Sequence, residues 1–191
     1  SLEHAANIKP TCLIHVDPEG NADIAAEKLD FPNGTVITPD GKKMIIGETY
    51  GGKLTSFNID EDKKLSERKV WAQMIPNSYY ILTRIVRALR IPVKEGRATP
   101  YPVPDGICLD DNMGVWVASP TTTEVLRYIE GGKITNRITT PDRAYACMLG
   151  GKEGKTLFVC TAETSTPEQA SIKKTGKIYS IEVDYSHSGC P

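Results

Sequence analysis

The chain has 191 residues, of which 39% are hydrophobic and 25% charged, and its formal net charge is −1. The apolar content excludes an intrinsically disordered chain. The balanced charge gives no electrostatic reason to expect nucleic acid or a membrane surface as partner, and no stretch is long and apolar enough to span a bilayer.

Scattered Gly (16) and Pro (13) predict many turns, and the segments between them alternate with the period of strands. Residues 12–16 and 23–29 read as two strands. Four strand-like pieces follow at 34–38, 44–48, 53–59 and 65–71, the first two joined by a Pro39-Asp40-Gly41 turn. The order repeats at 106–109, 115–118, 124–129 and 133–139, and begins again at 146–149, 156–161 and 177–183. The turn glycines Gly114 and Gly154 lie about 40 residues apart, which suits one four-stranded propeller blade. A two-sheet sandwich is the alternative, but it has no reason to repeat a four-strand unit at a fixed period. The expected fold is therefore all-β, a β-propeller with about three to four blades in this chain.

The interval from Gly41 to Gly114 is nearly twice the repeat, so residues 72–103 read as an insertion between two blades. At its centre, 79–89, Ile81, Ile85, Val86 and Leu89 have helical spacing, with Arg84, Arg87 and Arg90 between them. This predicts a short helix at the channel mouth, acting as a lid or partner-docking element, or else a decorated loop with a solvated basic face.

Propellers close with roughly four to eight blades. An open arc leaves sheet edges unpaired, so the ring is expected to be completed by an N-terminal portion or by a second chain, as in a homodimer. Four of the five Cys (Cys12, Cys108, Cys147, Cys160) sit in strand-like surroundings and Cys190 in a polar tail, while His4, His15 and His187 are isolated. No disulfide framework or Cys/His metal pattern emerges, and reduced thiols suit a cytoplasmic setting.

Two inner strands open with Pro32-Asn33-Gly34 and Pro104-Asp105-Gly106. Both tripeptides are strong turn formers. Because innermost strands line the channel, Asn33 Oδ1 and the Asp105 carboxylate can also converge there as oxygen ligands for a hard divalent cation. Asn33-Gly34-Thr35 fits a glycosylation sequon, but a channel-facing position argues against its use.

The run from Phe31 to Gly41, then Trp71-Ala72, then Pro104-Asp105-Gly106-Ile107-Cys108-Leu109-Asp110 with Gly114-Val115-Trp116-Val117-Ala118, resembles the senescence marker protein-30/gluconolactonase/luciferin-regenerating-enzyme family. Ala146 to Gly151 and Thr156 to Thr161 extend the likeness, which implies the C-terminal portion of a six-bladed propeller with a divalent metal (Ca²⁺, Mg²⁺, Mn²⁺ or Zn²⁺) on its axis. It implies Asn33 and Asp105 as metal ligands and Asp105 as the catalytic general base of a hydrolase acting on a lactone or small ester. The family's Glu ligand, a further Asn and a substrate-contacting Arg would all precede Ser1. A weaker likeness, of Ile45-Ile46-Gly47-Glu48-Thr49 to strictosidine-synthase-like propellers, makes Glu48 a candidate channel-lining catalytic residue. Cys147 is a second candidate lining residue, and a non-catalytic half-propeller assembly module is a third reading of the chain.

Overall fold

A computed structural model describes residues 9–89 and 99–188; His4, Arg90 and Cys190 lie outside the described residues. The chain is all-β, in four antiparallel sheets, with two helices among the described residues. Sheet one pairs β1 (Thr11–Val16) with β2 (Ala22–Leu29). Sheet two runs β3 (Pro32–Ile37), β4 (Lys43–Glu48), β5 (Lys53–Ile59) and β6 (Leu65–Gln73) in sequential order. Helix α1 (Asn77–Ala88) then precedes sheet three: β7 (Ile107–Leu109), β8 (Val115–Ser119), β9 (Glu124–Tyr128) and β10 (Ile134–Thr139). Sheet four holds β11 (Arg143–Gly150), β12 (Thr156–Ala162) and β13 (Lys177–Glu182).

The sheets stack face to face in chain order, and the period-2 alternation explains how. Successive side chains of a strand point to opposite faces. In β8, Val115 and Val117 enter the core shared with sheet two, alongside Ile45, Leu54 and Trp71. Trp116 and Ala118, one residue out of phase, enter the core shared with sheet four, against Cys147, Leu157 and Val159. Ile46 and Phe57 likewise turn away from Ile45 to meet Leu29 of sheet one. A strand buried on both faces reads as a continuous apolar run, as β8 does.

Helix α2 (Pro167–Lys173) was not expected from the sequence. None of its residues is buried, so it carries no apolar stripe to betray its period. Its signals are terminal ones: Pro167 and Glu168 in the first turn and Lys173 in the last.

The inner strands meet at their first residues. Gly34 N–H donates to Asp105 O at 3.0 Å, and Gly106 N–H donates to Tyr145 O at 2.9 Å. These contacts leave no room for a side chain, since a Cβ on Gly34 would stand 2.5 Å from Ile107 N and 2.7 Å from Asp105 O. Backbone cannot yield as a flexible side chain can. Gly34→Ala is therefore expected to destabilise the fold by about 2 kcal/mol or more, read as a lower urea midpoint with an unchanged m-value.

Candidate functional site

Asn33 and Asp105 come together where sheets two and three touch. Asn33 lies within the irregular pairing between Pro32 and Thr35 on β3, and Asp105 sits just before β7, anchored by its own N–H to Ala118 O at 3.0 Å. Phe31, two residues before Asn33, adopts a left-handed φ of 60° and packs edge-on against Tyr50 with ring centroids 4.8 Å apart. A bulky residue in that region is strained, and the neighbouring contacts hold it there.

The Asn33 side chain sits beside the Asp105 carboxylate and offsets part of the rise that burial imposes on its pKa. It also reaches Thr49 Oγ1 at 3.5 Å, and that hydroxyl donates to Pro104 O at 2.7 Å. Thr49 thus ties the strand end carrying Asn33 to the loop carrying Asp105. Sequence reasoning did not assign it this role, because its only cue was its place beside Glu48.

Among the described residues, Glu48, Asp110 and Asp105 are desolvated carboxylates, and their surroundings divide them. Glu48, fully buried, accepts from Asp30 N at 2.7 Å and from the Thr55 hydroxyl, with Arg68 Nη2 at 3.0 Å and Lys53 Nζ at 3.5 Å. Burial pushes its pKa up, but the Asp30 N–H, the Thr55 hydroxyl and the two cations outweigh burial and hold it below the usual range. Asp110, also fully buried, takes Arg127 in a two-pronged pair at 2.6 and 2.9 Å and accepts from Trp116 Nε1 at 2.9 Å. Both groups are saturated, and Glu48 is enclosed rather than open to a channel.

Asp105 differs. Burial raises its pKa, only partly offset by Asn33, and among the described residues no Lys or Arg pairs with it. A desolvated carboxylate without a cation is the arrangement that a bound cation would stabilise. The donor set is all oxygen and hard, which fits Ca²⁺, Mg²⁺ or Mn²⁺ better than a soft metal. Two side chains are fewer than such an ion needs, and no cluster of three His, Cys, Asp or Glu suited to a metal occurs among the described residues.

Cys147 is buried on β11, with Sγ 3.4 Å from Trp116 O and 3.7 Å from Gly106 O. A hydrogen bond with Cys108 and burial push its thiol well up. It packs as a neutral core thiol, without the electropositive surroundings of a reactive one. Cys12, Cys108 and Cys160 are also free thiols.

Helix α1 stands beside this site. Tyr80 Oη donates to Asp30 Oδ2 at 2.8 Å, three residues before Asn33. Tyr79 packs edge-on against Tyr101 at 4.9 Å, four residues before Asp105. The helix therefore grips both chain segments that lead into the site.

A family model described as the SMP-30/gluconolactonase/LRE-like region matches residues 1–163. A 6-deoxy-6-sulfogluconolactonase of Pseudomonas putida is 25% identical over 179 residues, covering 93% of this chain and 50% of the relative. The chain thus spans about half the length of the curated relative it matches. Among solved structures, a regucalcin of Agrobacterium tumefaciens, described as a calcium-binding protein, superimposes with a TM-score of 0.70 at 16% identity, covering 98% of this chain and 57% of that one. A luciferin-regenerating enzyme superimposes with a TM-score of 0.68 at 16% identity, covering 93% and 54%. A gluconolactonase of Xanthomonas campestris is 24% identical, with a TM-score of 0.57, covering 81% and 43%. These structural likenesses bear on the fold.

Proposed function

Because the chain belongs to the SMP-30/gluconolactonase/LRE-like family, we propose that it supplies part of the active site of a divalent-metal-dependent hydrolase acting on a lactone or small ester. The observation that carries this reading is the Asp105 carboxylate, desolvated, beside Asn33 and lacking a basic partner among the described residues. Asn33 Oδ1 and Asp105 would hold the cation, and its remaining oxygens would come from strands beyond this set, in a longer chain or a second one that closes the propeller. The cation, when bound, supplies Lewis-acid polarisation of the ester carbonyl.

The residues of this chain do the rest. Asp105 would take the proton of the attacking water, as a positioned carboxylate can. Asn33 lies beside that carboxylate, and Thr49 ties the strand that carries Asn33 to the loop that carries Asp105. The relative's name supports a sugar-derived lactone as substrate class.

The test is calorimetric titration of Mn²⁺ into the protein across a pH series that starts in the ordinary carboxylate range, about 4, and runs to about 8. Affinity should rise with pH over the range where the raised Asp105 carboxyl ionises, with proton release on binding that disappears at higher pH. Absence of Mn²⁺ binding at every pH, in any oligomeric form of the protein, overturns the reading.

A further inference from the structure

The close contact between sheets two and three builds a chemically labile pair into the chain. Packing demands glycine at position 34, where a Cβ would stand 2.5 Å from Ile107 N. The residue before it is Asn33, and no other Asn of the chain precedes a Gly. With no side chain on the following residue, nothing shields its backbone nitrogen from the asparagine carboxamide, and in a flexible chain the two meet readily.

Their reaction needs only water. The Gly34 nitrogen, giving its proton to solvent base, bonds to Asn33 Cγ, the Cγ–Nδ2 bond breaks, and ammonia leaves. Water then opens the succinimide ring at either carbonyl, leaving aspartate or isoaspartate at position 33. The net change consumes water and releases ammonia, with no oxidation or reduction.

The fold restrains the nucleophile rather than the amide. Asn33 is exposed, and its Nδ2 reaches Thr49 Oγ1 at a long 3.5 Å. The Gly34 N–H, by contrast, donates to Asp105 O at 3.0 Å, across from sheet two to the segment that leads into sheet three. Pairing with β4 is irregular between Pro32 and Thr35, so it is the neighbouring sheet that holds this nitrogen. The Thr49 hydroxyl, donating to Pro104 O at 2.7 Å, pins the same segment. Ring closure would take from Gly34 N both its proton and its acceptor, and would leave Asp105 O without this bond inside a tight backbone contact.

We propose that Asn33-Gly34 is a deamidation site gated by the contact between sheets two and three, closed while Gly34 N–H is bonded to Asp105 O and open when that contact parts. The aspartate product sets a new carboxylate beside Asp105, and the isoaspartate product lengthens the backbone of β3 by a carbon.

The test follows the intact protein at mildly alkaline pH with a chelator present, in native buffer and in urea above its unfolding midpoint. Neither metal nor substrate enters, so the outcome is separate from that of the hydrolase reading. The tryptic peptide Leu29–Lys42 contains Asn33 as its single Asn, and its mass reports replacement of the amide by a carboxyl over time. Conversion should proceed in urea and be at least roughly tenfold slower in native buffer, as for a site reached by local opening. Thr49→Val, folded by circular dichroism, should speed the native reaction several-fold and leave the rate in urea unchanged. If Thr49→Val does not fold, the wild type below its urea midpoint reads the same gate, and its rate should climb before global unfolding begins. No conversion in urea, equal rates in urea and native buffer, an unaltered native rate in folded Thr49→Val, or a rate that stays flat until global unfolding each overturns the proposal.

Discussion

On the proposed function, Asp105→Ala is expected to abolish Mn²⁺ binding and to lower hydrolysis of a sugar lactone such as glucono-δ-lactone by about two to four orders of magnitude, the range lost with a general base, while the protein remains folded. The two halves of this expectation have opposite signs because Asp105 is a liability to the fold. Its carboxylate is desolvated and unpaired by any Lys or Arg among the described residues, so the folded state holds the proton more tightly than the unfolded one. A carboxyl with a raised folded pKa costs nothing when both states are protonated. The cost appears as pH rises through the ordinary carboxylate range toward the raised value.

Wild-type protein without added metal should therefore lose stability over that window, and Asp105→Asn should not. Added Mn²⁺ should restore the wild type and leave Asp105→Asn unchanged. Thermal melts of both proteins, with and without the ion, read all four conditions. An Asp105→Asn variant that melts well below the wild type, or that binds Mn²⁺ with wild-type affinity, would place Asp105 among the structural residues.

Asp110 should behave in the opposite way. Asp110→Ala leaves the Arg127 guanidinium buried, with Arg127 only 3% exposed, and removes the acceptor of Trp116 Nε1 and of the Gly114 N–H. Truncating one member of such a pair costs about 3–5 kcal/mol, a drop of roughly 10 °C in Tm for a chain of this size. Arg127→Met should be nearly as damaging, and the double variant less so than the sum, since each single change strands the other charge. The Tyr185 ring, 3.7 Å from the guanidinium carbon, keeps part of the arginine's environment in either case.

Glu48→Gln belongs to the same class. It unbalances Arg68 and Lys53 and should lower stability without changing metal affinity. Because the Glu48 pKa is held down, its contribution is present above the ordinary carboxylate range and is lost as pH falls through the depressed value. Denaturant titrations across pH separate Glu48 from Asp105 by the sign of the slope.

The residues that carry strand alternation, turn chemistry and the repeat were readable from the chain alone. Each is a local property: the pleat puts alternate side chains on opposite faces, and Gly, Pro, Asn and Asp punctuate the turns. Asn33 and Asp105 could be singled out because they open equivalent strands with nearly the same tripeptide. The helix at Asn77–Ala88 showed its period in Ile81, Ile85 and Leu89, whereas α2, with no buried face, showed nothing.

What the tertiary structure alone decided was which carboxylate is free. Glu48, Asp105 and Asp110 are all acids at strand ends beside turns, and nothing adjacent in sequence tells them apart. Their partners come from elsewhere: Arg68 lies 20 residues from Glu48 and Arg127 lies 17 from Asp110, while Asp105 has Asn33 beside it and no Lys or Arg paired to it among the described residues. Desolvation and charge pairing depend on what packing brings within a few ångströms, so the candidate metal ligand and the two structural acids separate only once the sheets are stacked. The composition excluded disorder and spanning helices, but its near-zero charge also averaged away the basic segment around α1. The local spacing around residues 79–89 nonetheless shows its arginines, Arg84, Arg87 and Arg90.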